Sequence, residues 1–183
     1  MFLKLYNMIS YQSATTNDLT AIAALHAKSW QENYRGILTD TYLDDKVEQE
    51  RLSIWSKRFQ QPSDNQYVLA AKENGKLVGF TCLYGGDCDQ YGTLLDNIHV
   101  AQSEKGKGIG QQLMTLAGKW AATHYPNQGL YLWVFASNEK AKGFYTKLGG
   151  QLVETVPYPL MDGSGQSGLT SRFYWPSPIS LAT

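Results

Sequence analysis

Apolar positions Leu19, Ile22, Ala23, His26 and Trp30 recur every three to four residues, which predicts a first amphipathic helix. Ahead of it "MISYQSATT" alternates and reads as a strand, with Thr16 and Asn17 as candidate N-caps. Thr39 and Asp40 open a second helical stretch through Tyr42, Leu43 and Val47. Leu52, Trp55 and Phe59 continue that period until Pro62. The period then falls from helical to two. "YVLAAKENGKLVGFTCLY" is a pair of apolar runs about Asn74-Gly75, a dipeptide that tolerates the positive φ angles of a tight hairpin turn. After the loop "GGDCDQYG", Thr93 to Val100 reads as a strand. Ile109 to about His124 reads as a helix burying Leu113, Leu116, Ala117 and Trp120, and "YPNQG" ends it. "LYLWVF" is a strand, Asn138 is placed to cap a helix from Glu139 to Leu148, and Gly149-Gly150 stops it. "QLVETV" and "LTSRFYW" are two last strands around "MDGSGQSG". This order predicts an α+β chain with a mixed sheet, since strand–helix–strand units place their strands parallel.

Composition narrows the function classes. The chain has 183 residues with 43% hydrophobic content, enough for one compact domain. We place that domain at residues 9–176, with an N-terminal extension at 1–8 and a tail at 177–183; Met8 offers an alternative start. Lys plus Arg number 16 and Asp plus Glu number 16, so no basic excess points to nucleic acid or an anionic membrane. No run approaches about 18 apolar residues, and the opening "MFLKLYNM" is too short and polar for a secretory signal. Cys82 and Cys88 lack metal-site spacing and read as reduced thiols in a cytoplasmic protein.

The candidate chemistry begins at "SEKGKGIGQQL", Ser103 to Leu113. A strand running into a Gly-rich turn and then a helix presents backbone N–H groups without intrahelical partners, and these, with the helix dipole, favour an anion such as phosphate. Lys105 and Lys107 add positive charge. The alternative is a tight connection whose lysines are simply solvated. G-x-x-x-x-G-K-[ST] is absent, and "GKGIG" does not satisfy G-x-G-x-x-G, which argues against a magnesium-dependent nucleotide enzyme.

Three ordered segments carry a resemblance. "IHVAQSEKGKGIGQQLM" resembles the V-x-P-x-x-R-G-x-G-I-G motif of GNAT-superfamily N-acetyltransferases, "LWVFASNEKAKGFYTKLGG" resembles that superfamily's second signature, and "HAKSWQENYRGIL" resembles a segment of one bacterial branch. The likeness runs from about Ile9 to Trp175. It departs at Lys105, where the family has arginine, and at Gln102, where it has proline. Lysine offers a point charge in place of a bidentate fork.

The resemblance implies a GNAT fold: a central splayed sheet of about six to seven strands flanked by about four helices. It implies acetyl-CoA as co-substrate, a primary amine as acceptor and no metal, and it leaves a homodimer open. Pyrophosphate would sit on the amides of Lys105, Gly106, Lys107, Gly108, Ile109, Gly110 and Gln111. The pantetheine arm would lie along Ile98, His99 and Val100 as an added strand. Asn138 would contact the same arm, or act only as a helix cap. Tyr145 matches the tyrosine that stabilises the departing thiolate, against a plain core aromatic. For the base, period-two alternation places Asp96 with Ile98 and Val100, and His99 with Asn97 on the other face. Asp96 is the first candidate, with His99 or a solvent relay as alternatives. Trp30, Glu32, Tyr34 and Arg35 are acceptor-side candidates, though the same segment reads equally as helix-end packing. A non-catalytic acyl-CoA-binding module of the same fold is the competing function.

Overall fold

A computed structural model of the chain describes residues 9–178 and 181; the expected extension at 1–8 lies outside them. Seven strands form one sheet in the order β1-β2-β3-β4-β5-β7-β6. They are β1 (Ile9–Ser13), β2 (Gln66–Glu73), β3 (Lys76–Cys88), β4 (Gly92–Val100), β5 (Leu130–Phe135), β6 (Gln151–Pro159) and β7 (Ser167–Trp175). The helices are α1 (Leu19–Asn33), α2 (Asp40–Asp45), α3 (Val47–Gln60), α4 (Ile109–His124) and α5 (Glu139–Lys147). All neighbours pair antiparallel except β4 and β5, which are parallel. The expected α+β class and mixed sheet are therefore present.

Local chemistry accounts for the elements. Asn74 and Gly75 turn the β2–β3 hairpin at φ 51° and 81°, which the Asn-Gly pair tolerates. Thr16 and Asn17, the expected caps, do not hold the start of α1, where Asp18 is the N-cap. Instead Thr15 and Asp18 form a reciprocal capping box around a short turn, the Thr15 amide donating to Asp18 Oδ2 at 3.0 Å. The second helical stretch is two helices, α2 and α3, broken at Lys46. β3 continues through Gly85, Gly86 and Asp87, where the sequence reads as loop, because the chain keeps irregular pairing with β4 out to Cys88 and Gly92.

The sheet carries helices on both faces. On one, Ile22 and Ala23 of α1 and Trp55 of α3 pack on Val68, Phe80 and Cys82. On the other, Met114 and Ala117 of α4 and Tyr145 of α5 pack on Leu83, Leu95, Leu130 and Leu132. Trp55 and Phe80 are fully buried, and truncating such an aromatic to Ala costs roughly 3–5 kcal/mol. The C-terminal segment docks on α4: Thr115 Oγ1 donates to the Leu181 carbonyl at 2.6 Å. Gly118 leaves the space that Pro178 and Leu181 occupy. Among the described residues no helix is long and apolar enough to cross a membrane.

Candidate active site

The site begins where the sheet comes apart. β4 and β5 pair only at Thr93↔Leu130 and Leu94↔Tyr131, and beyond those residues the two parallel strands diverge. β4 stays paired with β3 as far as Val100, so Ile98, His99 and Val100 keep one strand edge turned toward the gap. A cleft of about 1090 Å³ fills the opening. Its walls include β4, the turn before α4, the start of α5, and residues of α1 and α3.

A β-bulge shapes the cleft from within. Cys82 pairs with Asn97 and Leu83 with Leu95, so Asp96 is the extra residue of β4. The bulge changes the strand's parity. Asp96 and Asn97 both turn to Arg58 of α3, which donates to Asp96 Oδ2 and to Asn97 Oδ1 at 2.8 Å each. Ile98 and Val100 instead pack toward Leu113 and Ile109 of α4. Strict alternation, which grouped Asp96 with Ile98 and Val100, is thus corrected: Asp96 shares its side of the sheet with Asn97 and His99.

At the mouth of the cleft, Gly106 (φ 84°) and Gly108 (φ 81°) adopt left-handed backbone that glycine reaches without strain. Gly108 is the N-cap of α4, and the next three amides have no carbonyl four residues back. Lys105, Gly106, Gly108, Ile109, Gly110 and Gln111 all line the cleft. A Cβ on Gly110 would meet Phe144 at 3.5 Å and Val100 at 3.7 Å, so the turn lies close against α5 and β4. The Lys107 side chain points elsewhere, paired with Glu104 at 2.6 Å, and only its backbone remains for an anion. Lys105 is the cation of this turn left on the cleft wall.

Asn138 caps α5, its Oδ1 accepting from the Ala141 amide at 3.1 Å, and it also lines the cleft. Its amide group is not consumed by the cap. Tyr145, about two turns on, is 8% exposed and borders the cleft while packing on Phe173 and Trp175. Burial raises its pKa, with the nearby Tyr34 phenol adding to the effect, so the phenol keeps its proton across the neutral range. Tyr34 is itself pushed up to about 12 by burial, Arg51 opposing.

The opposite wall is aromatic and basic. Trp30 and Tyr34 line the cleft, whereas Glu32 is exposed beside Lys28 and Arg35 is tied to Asp40 and Asp44 outside the cleft. Of the four acceptor-side candidates, the structure brings two together. Residues not singled out from sequence complete the wall: Ser29, Glu50, Arg51, Arg58, Phe135, Tyr158 and Met161. The signal for the arginines was there, since Arg51, Ile54 and Arg58 recur at i, i+3 and i+7 along α3. Arg51 is 5% exposed and stacks 4.2 Å over Trp30, with Glu50 beside it. His99 Nδ1 lies 2.8 Å from Ser29 Oγ, and its ring packs 4.5 Å from that of buried His26. His26 Nδ1 accepts from the Trp55 indole at 3.0 Å, which fixes its proton on Nε2. Burial, with Arg51 and Lys105, pushes His99 down to about 3, and burial takes His26 well below its ordinary value.

A parallel strand pair splays beside a helix that opens on a Gly-rich turn, and comparison with known proteins gives the family. The family model "Acetyltransferase (GNAT) family" matches residues 23–150, and the chain belongs to that family of N-acetyltransferases. A Mycobacterium tuberculosis protein named "Probable N-acetyltransferase" is 28% identical over 141 residues, covering 76% of this chain and 78% of that one. The uncharacterized N-acetyltransferase YuaI of Bacillus subtilis is 23% identical, covering 72% and 74%. Among solved structures, PaiA N-acetyltransferase from Thermoplasma acidophilum in complex with coenzyme A superposes with a TM-score of 0.69 at 19% identity, covering 92% of this chain and 99% of that one. The residues here fit coenzyme A: the cleft combines an open strand edge, unpaired helix-start amides and a lysine.

Proposed function

We propose that the protein transfers the acetyl group of acetyl-CoA directly to a primary amine within a ternary complex. The observation that supports this reading is the divergence of β4 and β5 beside a cleft whose lining includes Tyr145. The amine nitrogen forms a bond to the acetyl carbonyl carbon and the carbon–sulfur bond breaks. The departing thiolate takes a proton from the Tyr145 phenol, which regains one from solvent. An ammonium must first lose a proton. Asp96, held in place by Arg58, is the proposed acceptor, directly or through water. His99, whose Nδ1 lies 2.8 Å from Ser29 Oγ, and a solvent relay are the alternatives. For the donor, we propose that the amides from Lys105 to Gln111 bind the pyrophosphate, Ile98 to Val100 pair with the pantetheine arm, and Asn138 contacts it. The unpaired thiols of Cys82 and Cys88 support a cytoplasmic setting.

Release of CoA thiol across polyamines, aminoglycosides, amino acids and peptide N-termini tests the reading. Tyr145→Phe is expected to lower kcat by about 100-fold while acetyl-CoA affinity stays within about twofold. An unchanged kcat removes Tyr145 from the chemistry. Tight acetyl-CoA binding with no thiol release for any amine would establish the non-catalytic module instead.

A further inference from the structure

The connection between β6 and β7, "LMDGSGQSG", looks like free loop in the sequence, yet its aspartate is buried. Asp162 is 7% exposed, and both its oxygens accept backbone amides: Oδ2 from Thr39 at 2.8 Å and Oδ1 from Ser164 at 3.0 Å. Thr39 opens α2, 123 residues earlier, so one carboxylate fastens the start of that helix to the turn whose Met161 lines the cleft. Gly163 (φ 80°) and Gly165 (φ 71°) let the chain curl tightly enough for the Ser164 amide to reach back. Leu160 anchors the turn's other side among Leu38, Tyr42 and Leu43. The turn leaves Met161 54% exposed on the cleft wall.

Met161 shares the cleft wall with a chain of aromatic rings. Trp30 meets Tyr34 at 5.3 Å between ring centroids, Tyr34 meets Phe135 at 4.9 Å, and Phe135 meets Tyr158 at 6.5 Å. All four line the cleft. None of them carries a charge. The carboxylates that do line the cleft are already engaged: Glu50 with Arg51 and Tyr42, Asp96 with Arg58, and Glu104 with Lys107. A second ammonium group on the acceptor would find no free carboxylate there, while an apolar body would find four rings and a thioether.

We propose that Asp162 is a positioning residue that clasps the β6–β7 turn to the start of α2, holding Met161 and the aromatic arc as a collar that selects monoamines with an aromatic or aliphatic body. The proposal rests on the transfer reading above for its chemistry, but not for its binding. Hydrogen bonds from the Ser164 and Thr39 groups push the carboxyl down to about 2, so the clasp is ionised throughout any practical assay range.

The test compares 2-phenylethylamine, ethylamine and spermidine, by CoA-thiol release and by calorimetric titration onto the protein saturated with CoA. The expected result is that 2-phenylethylamine binds and reacts at least about tenfold better than ethylamine, with spermidine no better than ethylamine. Asp162→Ala should raise KM for 2-phenylethylamine about tenfold, with kcat at saturation and KM for acetyl-CoA within about twofold. Asp162→Asn, which keeps one acceptor oxygen, should fall between. Met161→Lys, at an exposed position that leaves the clasp intact, should weaken 2-phenylethylamine binding selectively. Should Asp162→Ala fail to fold, Asp162→Asn and Met161→Lys carry the comparison. Equal KM values in the variants, or spermidine as the favoured amine, overturn the proposal. Selective 2-phenylethylamine binding without thiol release sinks the transfer reading and leaves the collar; turnover of amines without phenyl preference does the reverse.

Discussion

The His26–His99 pair makes acid a specific destabiliser of this fold. In the folded protein His99 is pushed down to about 3, against about 6.5 for an unperturbed imidazole. The folded state therefore binds fewer protons than the unfolded chain between those values. Stability from the neutral ring is fully present above about pH 6.5 and is lost progressively as pH falls toward 3. At pH 5.0 the unfolded imidazole sits about 1.5 units below its pKa, which at 1.36 kcal/mol per unit is about 2 kcal/mol. Because the ring borders the cleft, that figure is a ceiling. His26 shifts in the same direction and adds to the loss. Asp162 does not contribute at pH 5.0, because its carboxyl is ionised there in the folded and the unfolded chain alike.

Urea unfolding at pH 7.5 and 5.0, for the wild type and for His99→Gln, measures the effect. Glutamine keeps a hydrogen-bonding group for Ser29 but does not titrate. The wild type should lose more unfolding free energy than the variant between the two pH values, by up to about 2 kcal/mol. An identical loss in both proteins would show that His99 is hydrated and ordinary, and the burial argument would fall.

Three further outcomes follow from geometry. Gly108→Ala meets no neighbour within 4 Å but forces alanine to φ 81°, a cost of about 1–2 kcal/mol; distortion of the helix start should raise the acetyl-CoA dissociation constant about tenfold by calorimetry. Gly92→Ala combines φ 82° with a Cβ only 2.4 Å from the Gly129 carbonyl oxygen, and should lower unfolding free energy by about 3 kcal/mol or more in denaturant titration. Lys105→Arg restores a bidentate fork beside the turn and should tighten acetyl-CoA binding a few-fold, an effect that shrinks in high salt.

Elements specified by neighbouring residues were legible before the structure. The Asn74-Gly75 turn follows from two positions that tolerate positive φ, and α4 runs from Ile109 to His124 as its apolar period requires. β5 likewise spans "LYLWVF" from end to end. Features that depend on distant partners were not. The break at Lys46 interrupts a pattern that reads as continuous, because α2 packs Tyr42 and Leu43 beneath α1 and the β6–β7 turn, while α3 turns Trp55 to the sheet. Asp162 finds its partner 123 residues away, and no local spacing announces it.

The bulge at Asp96 is the sharpest case, because one extra residue changed the chemistry assigned to its neighbours. In a regular strand Asp96 would face α4 among Leu113 and Ile109, where an ionised carboxylate would be costly. Cys82 pairing with Asn97 while Leu83 pairs with Leu95 turns Asp96 the other way, to a guanidinium 2.8 Å away. Burial alone disfavours the charge of Arg58, yet Asp96, with Cys82 and Tyr84, more than compensates, and the pKa of Arg58 is raised. The bulge thus delivers Asp96 to the wall that holds Ser29, Arg51 and His99, while Ile98 and Val100 stay against α4 and leave their backbone to the gap. Asp96→Asn separates positioning from proton transfer at this point. The amide keeps an acceptor for Arg58 but removes the charge that offsets its burial, so unfolding free energy should drop by about 1–3 kcal/mol. If Asp96 takes the amine's proton, kcat at pH 7 should fall by about 100-fold and recover partially as pH rises and free amine becomes abundant. A variant with wild-type kcat at every pH would show that the bulge shapes the cleft and that the proton leaves through solvent.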